Sequence, residues 1–233
     1  MVHKNLVRAA NAHKNALDGN FSFVHKYKNA LSALKASQSP KRYMVMCGDS
    51  RCMKSACMGN QEDVGDTFGG PGPVGNVVTN FTLTGLAFNI DHLETPYMLV
   101  CGHTGCAAIE GSMGDFSGER PIVQKAFKLL NRDYTSVQYD PQLDHLDDCT
   151  ANAFKNVQAQ VLKVVDTFKE EVASGKFTVL GAIYDNQGVF GDEGLIHYYS
   201  LNGNTNVDDF MAHDIMSLTQ DDIYAQQVRG WRK

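Results

Sequence analysis

Apolar residues recur at three- and four-residue steps along the first part of the chain: Leu6, Ala9 and Ala10, then Phe23, Tyr27, Leu31 and Leu34. This spacing predicts two surface helices, Val2 to Leu17 and Phe21 to Ser37, separated by Gly19. After Ser39-Pro40 the period changes. The run Tyr43-Met44-Val45-Met46 reads as a buried strand that ends on the polar segment Cys47-Gly48-Asp49-Ser50-Arg51. A second buried run, Tyr97-Met98-Leu99-Val100, leads into Cys101-Gly102-His103-Thr104-Gly105-Cys106. A strand that stops at glycine and polar residues is where α/β folds place their chemistry.

Between the two strands, residues 65–78 are rich in Gly and Pro and read as a loop. A helix follows from about Thr79 to His92 on Phe81, Leu83, Leu86 and Ile90. Residues 107–112 and 121–130 read as helical, and the polar stretch 131–147 as loop. The clearest helix runs from Cys149 to about Ala173, with Phe154, Val157, Val161, Val164, Val165, Phe168 and Val172 on one face. Asp148 would cap it and Gly175 would stop it. Phe177–Tyr184 and Leu195–Leu201 read as strands, and the short link containing Asp185-Asn186-Gln187-Gly188 implies that they pair antiparallel.

A chain of 233 residues that is 43% hydrophobic can bury a full core. The pattern therefore predicts a single α/β domain over residues 41–233, preceded by an N-terminal helical arm over residues 1–40. A formal charge of −5 argues against a partner that is nucleic acid or anionic lipid, and points to a small molecule or another copy of the chain. The charge is uneven: residues 1–42 hold eight Lys and Arg against the single acid Asp18, and the rest holds thirteen against twenty-five acids. A basic segment poor in acids has the composition of a transit peptide, so organellar targeting stays open. The preferred reading is an arm that docks on an acidic neighbouring subunit. With six Cys, no secretory signal and no run of 18 apolar residues, a reducing and soluble compartment is expected, cytoplasmic by default.

Free thiols in such a compartment raise the question of metal binding. Zn²⁺ takes thiolate and imidazole ligands, and a catalytic site supplies three of them while leaving a fourth position open. Cys47 at one strand end and the His103-x-x-Cys106 pair at another supply that set, and Gly105 eases the turn between the last two. Against this stands the ordinary use of Cys as a small core hydrophobe. Either cluster alone favours that use; the two together, with Asp49 and Arg51 attached to the first, favour the metal. Cys52, Cys57, Cys101 and Cys149 read as free thiols, and His92, His145, His197 and His213 as surface or satisfied polar residues.

The segments Cys47-x-Asp49-x-Arg51 and His103-x-x-Cys106 resemble the paired signatures of beta-class carbonic anhydrases, in the same order and at a similarly wide separation. Asn156-Val157-Gln158 and the strand ending Gly181-Ala182-Ile183-Tyr184-Asp185 look like later landmarks of that family. The resemblance implies a mixed, mainly parallel sheet flanked by helices, in a homodimer or larger homo-oligomer that exchanges N-terminal helices. It implies Zn²⁺ on Cys47, His103 and Cys106. Asp49 would then either pair with Arg51 or turn onto the metal and close the site.

The implied activity is reversible hydration of carbon dioxide to bicarbonate and a proton by zinc-bound hydroxide. A cation lowers the pKa of its bound water towards about 7 in a carbonic anhydrase with His ligands, a value taken from that protein; two thiolates should leave it higher here. Two other uses remain open. One is hydrolysis of carbonyl sulfide or carbon disulfide on the same metal, and the other is a non-catalytic, zinc-stabilised assembly module closed by Asp49.

The family's Arg-Asn-Ala-Gly-like stretch is replaced here by Gly69-Gly70-Pro71-Gly72-Pro73-Val74-Gly75-Asn76, which leaves the pocket's shape and substrate choice open. The same stretch satisfies G-x-G-x-x-G with Asp91 downstream. Pro71 and Pro73 lack the amide hydrogens that would cradle a pyrophosphate, so no dinucleotide cofactor is expected.

Overall fold

The computed structural model describes residues 4–34, 38–52, 54, 67–71, 74–219 and 222–232. The chain divides into two units, Met1–Gln38 and Ser39–Lys233.

The first unit holds helix α1, Lys4–Lys26, and helix α2, Lys28–Ala33. The expected break at Gly19 is absent, and the chain interrupts its helix at Tyr27 instead. An internal glycine costs a helix only about 1 kcal/mol. Here that turn is supported by the Lys14–Asp18 ion pair at 2.7 Å and by the Ser22 hydroxyl donating to the Asp18 carbonyl at 3.0 Å. No α1 side chain is buried, and Leu6, Leu17 and Phe21 are each more than half exposed.

Among the described residues, the second unit is built on five strands: β1 Arg42–Met46, β2 Thr67–Pro71, β3 Tyr97–His103, β4 Thr178–Tyr184 and β5 Ile196–Leu201. Their order is β2-β1-β3-β4-β5, parallel except for the β4–β5 pair, which is the mixed, mainly parallel sheet expected. The three inner strands are buried almost throughout, which is why they read as continuous apolar runs without alternation. Strand β2 corrects the loop expected over residues 65–78. Glycine and proline hide a strand from a propensity reading, yet both are tolerated at a sheet edge, where one side of the backbone needs no partner.

Helices cover the sheet: α3 Asn80–His92, α4 Ala107–Met113, α5 Pro121–Thr135, α6 Asp148–Thr167 and α7 Lys169–Ala173. A reciprocal box between Thr79 and Thr82 starts α3. Helix α5 extends five residues past 130 into the expected loop, because its last inward turn is polar: Asp133 is buried and accepts from Gln160 at 3.0 Å. The cap of α6 is Asp147 and not Asp148; its carboxylate accepts from the Thr150 amide at 3.0 Å and the Thr150 hydroxyl at 2.6 Å. The long helix is also interrupted at Phe168, where φ is −117° and ψ is 39°. Its apolar face lies directly on β3 and β4. A side chain at Gly181 would come within 2.8 Å of Val157, so the close approach requires glycine there.

Beyond β5, where the hydrophobic pattern predicted nothing, lie α8 Val207–Ala212, α9 Asp214–Thr219 and α10 Asp222–Arg229. They end at Trp231, which is fully buried against Phe154 and Tyr199. No described helix is long and apolar enough to cross a membrane.

Candidate metal centre

Parallel pairing brings the two polar clusters to one edge of the sheet. Met46 is in register with Cys101 and His103 with Tyr184, so Cys47 just after β1 and His103 at the end of β3 emerge at the strands' C-terminal ends. Gly105, at φ 59°, turns the chain so that Cys106 sits at the N-terminus of α4. The ligand atoms of Cys47, His103 and Cys106 all lie within 4.8 Å of one another, and the two sulfurs are 4.0 Å apart. All three residues are buried, and together they form a group that can hold a metal ion.

The bonding around these atoms suits a cation. His103 Nδ1 lies 2.9 Å from the Thr104 carbonyl oxygen and 2.8 Å from the Asn186 side-chain nitrogen, so the ring is held from its Nδ1 side. Nε2 itself is buried and has no hydrogen-bond partner among the described residues. The Gly75 amide donates to Cys47 Sγ at 3.4 Å. The Cys106 thiol pulls the Cys47 pKa down against the effect of burial, with help from that amide, to about 4. Cys106 is pushed up by Cys47 and by burial. Burial would lower the His103 pKa, but the surrounding thiols raise it to about 10, so the cluster draws positive charge to the imidazole. Buried cysteine sulfurs around an imidazole nitrogen are the donor set that Zn²⁺ prefers.

Asp49 and Arg51 stand beside this group as a two-point ion pair. Arg51 Nε donates to Asp49 Oδ1 at 3.0 Å and Nη2 to Oδ2 at 2.6 Å, while the Arg51 amide adds a third bond to Oδ1 at 2.9 Å. Arg51 Nη2 also donates to the Gly105 carbonyl at 2.9 Å, tying the first cluster to the second. The guanidinium holds the Asp49 carboxyl well below the usual carboxylate range. Asp49 Oδ2 remains 3.9 Å from His103 Nε2. A cavity of about 390 Å³ opens at this point, lined by Cys47, Asp49, Ala108 and the apolar side chains of Val74, Val123 and Phe127.

All five residues singled out in the sequence therefore meet at one place. Cys52 and Cys101 are buried cysteines outside any described disulfide, and Cys149 is a half-buried one at the start of α6; Cys57 lies outside the described residues. The supporting residues were largely missed. Gly75, at φ 72° and lodged against Leu130, aims its amide at Cys47, and its carbonyl accepts from Asn156 at 2.7 Å. In the sequence Asn156 stands only as a family landmark.

Asp185 is fully buried and accepts from the Thr104 hydroxyl at 3.0 Å and the Phe190 amide at 2.8 Å, pinning the turn behind His103. Thr104, inside the second signature, was the available hint. His197 differs from expectation, being 4% exposed with neither ring nitrogen hydrogen-bonded among the described residues.

A family model described as carbonic anhydrase matches residues 42–189. The chloroplastic beta carbonic anhydrase 5 of Arabidopsis thaliana is 28% identical over 178 residues, which cover 70% of this chain and 55% of that protein. The chain thus spans about half the length of the curated relative it matches. A Coccomyxa beta-carbonic anhydrase solved in complex with acetazolamide aligns at a TM-score of 0.64 and 22% identity, covering 90% of this chain and 92% of its own. A beta-carbonic anhydrase from Sordaria macrospora, one of two described as tetrameric, aligns at 0.63 and 23% identity, covering 84% and 97%. At these identities the solved structures establish the shared fold.

Proposed function

The chain belongs to the carbonic anhydrase family, and from that membership we propose that it catalyses the reversible hydration of carbon dioxide to bicarbonate and a proton, with zinc held by Cys47, His103 and Cys106. The observation that carries the reading is the unpartnered Nε2 of His103 set among buried thiols, with a carboxylate 3.9 Å away that is already engaged by an arginine. Zinc at this position would supply the Lewis acidity that makes a water molecule ionisable near neutral pH.

The chain's own residues supply the rest. Asp49 Oδ2 accepts a hydrogen bond from the attacking water and so turns the oxygen lone pair towards the carbon. Arg51 keeps Asp49 ionised and holds it by two parallel bonds, which keeps the carboxylate off the ligand group. That arrangement supports an enzyme over a module closed by Asp49. Val74, Val123 and Phe127 give the cavity an apolar wall suited to a small linear molecule without charge, and they limit the water that reaches it.

The exposed apolar residues of α1, among them Leu6, Leu17 and Phe21, support an arm over residues 1–40 that packs on a second copy, and the tetrameric Sordaria relative supports a homo-oligomer. Light scattering on the full chain and on one lacking the arm tests this part.

The activity is tested by following carbon dioxide hydration on zinc-loaded protein, after chelation and after zinc return, with sulfide release from carbonyl sulfide assayed on the same sample. Hydration that tracks zinc content is expected. No hydration even above neutral pH, or sulfide release in its place, overturns the reading.

A further inference from the structure

The turn after β4, Asp185-Asn186-Gln187-Gly188, carries none of the three candidate ligands, yet it reaches His103 from behind. Its backbone is fixed by the buried Asp185 carboxylate, which accepts from the Gln187 amide at 3.2 Å and the Val189 amide at 3.1 Å besides the Thr104 hydroxyl and the Phe190 amide. The Asn186 and Thr104 amides both donate to the Tyr184 carbonyl at 3.1 Å, which locks the turn to the end of β3. The point from which the Asn186 side chain leaves is therefore set by the fold.

That side chain meets the imidazole on its Nδ1 side. Asn186 Nδ2 lies 2.8 Å from His103 Nδ1 and 3.4 Å from the Thr104 carbonyl oxygen, while Asn186 Oδ1 is buried with no hydrogen-bond partner among the described residues. A neutral imidazole that gives Nε2 to a metal carries its proton on Nδ1, and an N–H cannot bond to the amide nitrogen, which is itself a donor. The same amide holds the acceptor that this proton needs. A half-turn about the Cβ–Cγ bond exchanges Oδ1 and Nδ2, two atoms of nearly equal size.

We propose that Asn186 is a positioning residue for His103, on the reading of Cys47, His103 and Cys106 as a zinc site: with zinc on Nε2, its side-chain oxygen accepts from Nδ1–H. It acts on the metal only through the imidazole. The Thr104 carbonyl is the other acceptor within reach, but it belongs to the next residue in the chain and moves with His103. Asn186 comes from the turn after a separate strand, and so ties the ring to β4. A partner on the second ring nitrogen fixes the tautomer and raises the basicity of the nitrogen that binds, and its loss commonly weakens metal binding about 10- to 100-fold.

The test measures zinc affinity of the full chain by competition with a chromophoric chelator, with the fold read by circular dichroism and the His103 ring nitrogens followed by NMR. Wild type should take up zinc with the ring proton on Nδ1. Asn186→Leu, which keeps the volume and removes both polar atoms, should bind zinc about 10- to 100-fold more weakly. Asn186→Ala should weaken it in the same direction and serves where the Leu variant does not fold. Asn186→Asp, which can accept but not donate, should recover at least about tenfold over Asn186→Leu. Wild-type affinity in the Leu and Ala variants, an Asp variant as weak as Leu, or a zinc-loaded ring with its proton on Nε2 overturns the role given to Asn186 and leaves the metal centre standing. A wild-type chain that takes up no zinc overturns the metal centre, and this role with it.

Discussion

Asn156 Nδ2 donates to the Gly75 carbonyl oxygen at 2.7 Å, and the amide of the same glycine donates to Cys47 Sγ at 3.4 Å. A residue in the middle of α6 thereby sets the position of a donor to one of the three side chains proposed to hold zinc. Groups that orient ligands from behind commonly change metal affinity by about 10- to 100-fold when removed. Asn156→Ala should lower zinc affinity by that order in a competition with a chromophoric chelator, while the fold, read by circular dichroism, persists. Unchanged affinity would mean that Gly75 holds its place through its seat against Leu130 alone.

Arg51 meets Asp49 through two side-chain bonds and reaches the Gly105 carbonyl as well. Arg51→Ala removes all three and frees the carboxylate to turn towards His103. Hydration should fall about 100-fold or more, with zinc content retained. Arg51→Lys should rescue little, because a point charge cannot make the two-point contact. Full activity in Arg51→Ala would refute the role given to this pair.

The candidate metal ligands were legible because each signature is local: cysteine, histidine and their neighbours are adjacent in sequence, and strand ends are visible as the stop of an apolar run. What lay behind them was not. The Gly75–Asn156 contact joins residues 81 positions apart through a backbone carbonyl, which no side-chain pattern announces. Strand β2 was hidden because Phe68-Gly69-Gly70-Pro71 lacks the β-branched residues by which strands are recognised. The extra turn of α5 was hidden because its inward face carries Asp133 where an apolar residue would have continued the period.

Asp133 is 3% exposed and accepts from Gln160, Lys163 and Arg132. Burial raises its pKa, but these three donors outweigh burial and the net shift is downward. A carboxyl whose folded-state pKa is depressed contributes stability above its unfolded value of about 4, and that contribution is lost as pH falls through the lower folded value. Asp133→Ala should therefore cost about 3 kcal/mol in denaturant unfolding at neutral pH, at the low end for a broken buried pair because Lys163 keeps access to water. The gap between wild type and variant should narrow as the pH drops below about 4. A gap constant with pH would assign the cost to lost packing.

The C-terminal segment has a different dependence, on shape and not on charge. Trp231 is fully buried, its Nε1 donates to the Tyr198 carbonyl at 3.1 Å, and its ring meets Phe154 at 4.8 Å and Tyr199 at 5.3 Å. The residue thus joins the segment after α10 to β5 and α6. Trp231→Ala should cost about 3–5 kcal/mol, the range for deleting a large aromatic side chain from a core. Trp231→Phe, which keeps an aromatic ring but loses the donor, should cost less. The loss has a local signature as well: hydrogen exchange in α10 should speed up in Trp231→Ala while the amides of β1 and β3, on the far side of β4, keep their protection until global unfolding. If protection instead fell equally across β1, β3 and α10, the C-terminal segment would be part of the same cooperative unit as the strands that carry the candidate ligands, and Trp231 would contribute to holding Cys47 and His103 in place.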